Sequence, residues 1–407
     1  MDFAYDADQD DFRSSLRRFL ADKAPLAKVR EAVETDAGYD ADLWKQMSAQ
    51  LGLPGLHLPE EHGGSGTSLI EPSIVMEETG RALTSSPYAA VLLASLAVLR
   101  HGDEAAQAEL LPGIASGDTI ATLAMAELAS PAGLVGLQTT ALSRGDQVTL
   151  TGTKTLVEHG HTADVLIVSA TSADAAPGSA RLYVVRADAE GLTRTRQDSL
   201  DLTRPVASVQ FEGTPAHPLG EPSDLAPLID LWCALLATEM VGVGSACLDM
   251  AVGYAKERHQ FNRPIGSFQA VKHRCSEMVV ALDGARAAAQ YAVFVADQGS
   301  PELASVAPLA KAEASEAVTF AAGWTIQILG GIGFTWEQDA HLYFRRAWAD
   351  SALLGTPAAQ RARLADVLGF SPRTPGTRSA RRLVNAVLAP VCGVSHHGWS
   401  GVDHHVP

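Results

Sequence analysis

Basic residues are scarce in this chain. Its 407 residues carry 31 Lys and Arg against 47 Asp and Glu, a formal net charge of −16. That shortage removes the electrostatic footprint of a nucleic-acid binder or of a protein drawn to an anionic membrane. Cysteine is scarcer still: Cys233, Cys247, Cys275 and Cys392 form no C-x-x-C pair. Four thiols so spaced exclude a disulfide scaffold and imply a reduced, cytoplasmic chain. The N-terminus, Met1 to Asp6, is acidic where an export leader is positively charged. The apolar stretch between Arg81 and Arg100 is polarised by Thr84, Ser85, Ser86 and Pro87, leaving twelve residues, Tyr88 to Leu99. Roughly 20 are needed to cross a bilayer, so the stretch reads as a buried helix and no membrane span is expected. No internal repeat, G-x-G-x-x-G, Walker loop or G-x-S-x-G elbow occurs.

What is present falls into three textures. Residues 1–117 carry helical periodicity, with Phe12, Leu16, Phe19 and Leu20 on one face and a second pattern through Leu43, Met47 and Leu51. The Pro59 to Gly66 stretch interrupts it as a loop. Residues 118–221 change to short β-branched segments: Thr119–Ala124, Val148–Thr153, Val165–Ser169, Leu182–Val185 and Val206–Phe211. Arg144-Gly145-Asp146 is a hairpin turn. From 222 to 370 helical texture returns, led by the stripe Leu236, Met240, Val243, Cys247, Met250 and Tyr254, with further helices at Phe268–Val295, Leu303–Leu329 and Ala358–Leu368. The tail, 371–407, contributes +3 and leaves −19 for the rest; its histidines lack the preformed frame of a metal site, and none is expected. The fold class is mostly α with a central β domain.

Two segments of the last region could carry chemistry. Arg258, Gln260, Phe261 and Gln269 place a guanidinium, two carboxamides and a ring around one helix-to-helix turn, groups that suit a phosphate, an adenine edge and a ring face. Gln327, Gly330 and Gly331 end a later helix with backbone that a partner molecule can approach closely. Each alone reads first as an ordinary helix end.

Together with the Leu51 to Gly66 loop, the Glu127 segment, Gly152-Thr153-Lys154 and Gly355-Thr356, they make residues 5–370 resemble the acyl-CoA dehydrogenase family of flavoproteins. The resemblance implies an N-terminal helical domain, a middle β-barrel-like domain and a C-terminal four-helix bundle. It further implies FAD as cofactor, an acyl-CoA or related thioester as substrate, a tetramer and electron-transfer flavoprotein as electron acceptor. It places Arg258, Gln260, Phe261, Gln269, Gln327, Gly330 and Gly331 on a neighbouring subunit's FAD, the arginine at its pyrophosphate, and adds Thr356 as a further FAD contact.

The departures are as informative. The family reaction removes the α-proton with a glutamate while the β-hydride passes to flavin, and in the commonest subgroup that glutamate precedes the Gly-Thr pair. Here it is Leu354, which cannot take a proton. A minority of the family supplies the base from the helix before Arg258; the equivalent position falls at about Trp232, with Asp230 and Glu239 near it but out of register. Leu156 and Glu158 stand where the resemblance places an indole over the isoalloxazine and a hydroxyl at its N5, the Glu127 segment loses a hydroxyl and a serine, and Arg345-Arg346 replaces Arg-Asp. Three readings stand. The chain is one subunit of a heteromeric acyl-CoA dehydrogenase whose paralogous partner supplies the base; or a self-sufficient flavoenzyme with a displaced base, Glu158 or Asp230; or a non-catalytic structural subunit. Glu158 is equally well a surface-directed structural residue.

Overall fold

The computed structural model describes residues 5–130, 136–145, 147–172 and 180–370. The tail 371–407 with Cys392, and Asp146 of the expected turn, lie outside the described residues. Among the described residues six α-helices come first: α1 (Ala7–Lys23), α2 (Leu26–Val33), α3 (Ala41–Lys45), α4 (Ile70–Arg81), α5 (Tyr88–His101) and α6 (Glu104–Ser116). Asp6 starts α1 through a capping box with Gln9. The Leu43, Met47 and Leu51 pattern is only partly α-helical: α3 passes into a π-turn at Gln46–Gln50.

Among the described residues seven strands follow: β1 (Ala121–Ala124), β2 (Thr140–Arg144), β3 (Gln147–Glu158), β4 (Val165–Ser172), β5 (Arg181–Arg186), β6 (Leu192–Gln197) and β7 (Val206–Pro218). Two of them, β2 and β6, had no β-branched signal strong enough to be expected. Strand β4 pairs with β2, β2 with β3, β3 with β7, β7 with β5, and β5 with β4, so the sheet closes on itself. Leu150, Val157, Leu166, Val168, Tyr183, Val209 and Phe211 fill the interior. The resulting barrel is crossed by a buried ion pair, Lys154 Nζ to Glu127 Oε1 at 2.7 Å.

The last region holds α7 (Ala226–Glu257), a two-residue ladder of β8 (His259–Gln260) and β9 (Arg263–Pro264), then α8 (Gln269–Asp297), α9 (Leu303–Leu329), α10 (Ala340–Ala352) and α11 (Pro357–Val367). Short connections make α7, α8 and α9 successively antiparallel. By length and composition these three are apolar enough to cross a membrane, which corrects the expectation that the 81–100 stretch was the strongest such candidate. In α7, 83% of the apolar window is packed inside the fold, in one core with the N-terminal helices. Tyr88, Leu92, Leu231, Leu235 and Met240 are all buried there.

Candidate functional site

Helix α7 has a different site element at each end. From Trp232 to Arg258 is 26 residues, about 39 Å along the helix at 1.5 Å per residue.

At the C-terminal end the chain leaves α7 at Arg258 and turns back through β8 and β9. Phe261 and Asn262 occupy the turn at φ 52° and 61°, the left-handed geometry of a tight hairpin and a costly one for phenylalanine. Phe261 is 85% exposed and meets Phe268 edge-on, with ring centroids 6.0 Å apart. Because α8 starts and α9 ends at this same end of the bundle, Gln269, Gln327, Gly330 and Gly331 join Arg258, Gln260 and Phe261 there, all exposed. Contact of Arg274 with the Trp324 ring, 4.2 Å from guanidinium carbon to centroid, ties the two helices at this level. Gly330 ends α9 at φ 66°, and a Cβ at either glycine would meet nothing within 4 Å. Among the described residues Arg258 has no ion-pair partner. A guanidinium, three carboxamides and open backbone facing outward fit the diphosphate and adenosine of a dinucleotide held by another chain.

The N-terminal end of α7 borders a cavity of about 290 Å³. It brings together four positions that the sequence singled out separately: Leu354, Trp232, Leu156 and Glu158. Strand β3 explains two of them. Its ladder with β7 slips between Lys154 and Val157, where Leu156 takes φ 53°. Leu150 and Lys154 point into the barrel, but after the bulge the parity flips, so Val157 enters the barrel and Glu158 is turned toward the cavity. Leu354 follows α10 at φ 60°, and its carbonyl accepts from Gln360 Nε2 at 2.6 Å.

Beneath the cavity lies a charge cluster that sequence reasoning missed. Arg204, from the loop before β7, meets Glu158 at 3.0 Å, Glu239 at 2.7 Å and Asp350 at 3.1 Å. Arg346 meets Asp201 and Glu239, and donates to Thr203 Oγ1 at 2.6 Å. Four carboxylates thus face two guanidinia, all at least half withdrawn from water and most fully so. Burial pushes the Asp350 carboxyl up to about 7 against the pull of Arg204. Glu158 is pushed up by the same cause. Burial works against charge on Arg204 too, but Glu239, Glu158 and Asp350 hold it well above its ordinary value. No local pattern could have announced this cluster, since its members come from β3, a loop, α7 and α10. Lys311, wholly buried in α9, donates to Ser315 Oγ at 3.0 Å and to the Ser351 carbonyl at 3.3 Å, and burial pushes it down to about 8.

Several expectations are corrected. Glu158 is not surface-directed; it is largely withdrawn from water and clasped by Arg204. Asp230 does not reach the cavity: it pairs with Arg363 of α11 at 2.5 Å. Glu239 lies beneath the cavity, bound by both arginines. Thr356, the further FAD contact that the resemblance implies, is exposed and also caps α11, its Oγ1 accepting from the Ala359 N–H at 3.3 Å. The cavity does not fit a flavin ring. N5 and O4 of oxidised flavin accept hydrogen bonds, whereas Glu158, ion-paired to Arg204, sets a carboxylate where the resemblance puts a hydroxyl donor, and in that ionised form lone pairs would face lone pairs.

Residues 6–118 match the acyl-CoA dehydrogenase N-terminal domain and residues 233–369 the acyl-CoA dehydrogenase C-terminal domain. The acyl-CoA dehydrogenase IpdE2 of Mycobacterium tuberculosis is 36% identical over 366 residues, covering 88% of this chain and 97% of that protein. A solved structure described as a Tcur3481-Tcur3483 steroid ACAD variant is 31% identical with a TM-score of 0.83, covering 89% of this chain and 98% of its own. A chain of the ChsE4-ChsE5 complex from Mycobacterium tuberculosis is 26% identical with a TM-score of 0.83, covering 91% of this chain and 100% of its own.

Proposed function

This chain belongs to the acyl-CoA dehydrogenase family, whose members are FAD-dependent oxidoreductases, and from that premise we propose that it works as one subunit of a heteromeric complex. Its task there is to complete the FAD site of a paralogous subunit that carries the catalytic glutamate, for α,β-dehydrogenation of an acyl-CoA thioester. The observation that carries this is the separation of the two site elements by about 39 Å of α7, a span no single dinucleotide bridges. Arg258, Gln260, Phe261, Gln269, Gln327, Gly330 and Gly331 would hold the diphosphate and adenosine of the partner's FAD. When bound, that FAD supplies the acceptor for the β-hydride. In the chain's own cavity Leu354 takes no proton and Glu158 opposes a flavin ring. Similarity to a steroid ACAD variant supports a polycyclic, steroid-derived acyl group, and similarity to a chain of the ChsE4-ChsE5 complex supports a heteromer. A tetramer, electron-transfer flavoprotein as acceptor and a cytoplasmic setting belong to the same proposal.

The test is flavin content per chain, alone and after coexpression with a neighbouring paralogue. The expected result is a colourless chain alone and a yellow, active complex. One FAD per subunit with acyl-CoA oxidation by the chain alone overturns it. A second reading, a self-sufficient enzyme using Glu158 as base, is favoured by one observation: Glu158 is an acid at the cavity whose proton affinity burial has raised. It requires that the isolated chain be active and that Glu158→Gln abolish that activity.

A further inference from the structure

We propose that the cavity beneath Leu354 is a ligand site in its own right, taking a compact, uncharged ring system whose single hydroxyl donates to Glu158. The walls account for the rings. Trp232, Trp348, Leu156, Leu200 and Leu354 make the lining mainly apolar, and its volume of about 290 Å³ falls at the small end of ligand pockets, roughly 300–1,000 Å³. Trp348 and Leu200 are 50% and 55% exposed at the rim, which gives an entrance.

The floor accounts for the hydroxyl. Glu158 Oε2 accepts from Arg204, yet the side chain keeps 12% exposure, whereas Asp201 and Asp350 keep 1% and 0%. Of the three carboxylates that line the cavity, Glu158, Asp201 and Asp350, Glu158 is therefore the most accessible to a molecule in it. An anion is disfavoured because the cluster already has four carboxylates to two guanidinia, whose nitrogens other than Arg204 Nε are all engaged within it. Lys311, the ammonium that senses Asp350, is turned to Ser315 and to backbone carbonyls. A hydrocarbon or ether would displace water from Glu158 and return no donor, a desolvation cost that a hydroxyl avoids.

The proposal rests on the reading that no flavin ring occupies this cavity. Its test uses the full chain and three molecules of one shape: 2-naphthol, 2-methoxynaphthalene and 2-naphthoate, each measured by equilibrium dialysis. The expected result is saturable 1:1 binding of 2-naphthol, about tenfold or more tighter than 2-methoxynaphthalene, with 2-naphthoate weakest. Glu158→Ala should erase the preference for the naphthol, and Leu354→Trp, which fills the cavity, should remove binding of all three. No saturable binding, equal binding of the three, or 2-naphthoate binding tightest overturns the proposal. The ranking by the unaltered chain decides even where a variant fails to fold. Flavin content is measured without naphthols, so a chain that takes FAD alone sinks the heteromeric reading, while a lost naphthol preference with no FAD bound sinks only the ligand site.

Discussion

The two ends of α7 treat charge in opposite ways. At the C-terminal end Arg258 stands exposed on a protruding hairpin, with no ion-pair partner among the described residues and an exposed aromatic beside it. At the N-terminal end Arg204 and Arg346 are withdrawn from water and surrounded by four carboxylates of the same chain. An exposed, unpaired guanidinium contributes little to folding and keeps its binding capacity for a ligand. A buried one surrounded by carboxylates has spent that capacity internally, and removing it leaves unpaired charge in a dry interior. The difference separates an end shaped for another molecule from an end shaped by its own side chains.

Substitution of Arg204 by Met tests the buried end most severely. With one guanidinium left for four carboxylates, the chain should lose about 3–5 kcal/mol, read from the denaturant midpoint at neutral pH. A loss below about 1 kcal/mol would mean the cluster is not the buried unit described. At the exposed end, Arg258→Ala should leave unfolding within about 0.5 kcal/mol of the parent but weaken FAD retention by the coexpressed complex roughly tenfold or more. Equal retention would remove the diphosphate role. Thr356→Ala separates a cap from a cofactor contact: helix α11 should lose about 1 kcal/mol while FAD retention is unchanged.

The smallest effect concerns pH. Asp350 has a folded value of about 7 against an ordinary 3.8, so between those values the folded state binds more protons than the unfolded. Its contribution to stability is therefore greatest at low pH and falls as pH rises from about 4 to about 7. Glu158, shifted the same way, adds to this. Burial lowers His57 to about 4 and His159 to about 3, and these act in the opposite sense within the same window. The readout is accordingly a difference: the stability of Asp350→Asn relative to the parent should rise as pH goes from 5 to 7.5. A flat difference would show that Asp350 is ionised throughout.

Much of the fold was legible because period and turn chemistry are local. Helix α9 appears where the apolar pattern placed it, Leu303–Leu329, and four of the five expected strands lie within observed ones while the fifth overlaps β1. Strand β6 was not legible, because Thr193, Arg194, Thr195 and Arg196 pair along β7 with mostly exposed side chains and leave no apolar alternation. Helix α10 carries Arg345, Arg346 and Asp350 among its apolar residues, two of these charges buried by partners from other elements. At the site, Arg258 and Phe261 could be read as exposed groups at a helix end. Glu158 could not be placed, because a single bulge between Lys154 and Val157 reverses which side chains face the barrel.

The sequence by itself determined the order of helical and β regions and the leucine at position 354, since these follow from residue identity and short-range spacing, while the family resemblance pointed to the class of protein and to the residues grouped with Arg258. Only the tertiary structure decided that Glu158, Glu239, Asp201 and Asp350 share two arginines, that Asp230 faces Arg363 instead, and that the two site elements stand at opposite ends of one helix. The physical reason is range. Periodicity and capping act within a few residues, whereas charge pairing in a dry interior joins groups up to 146 positions apart, and chooses partners only after the chain has packed.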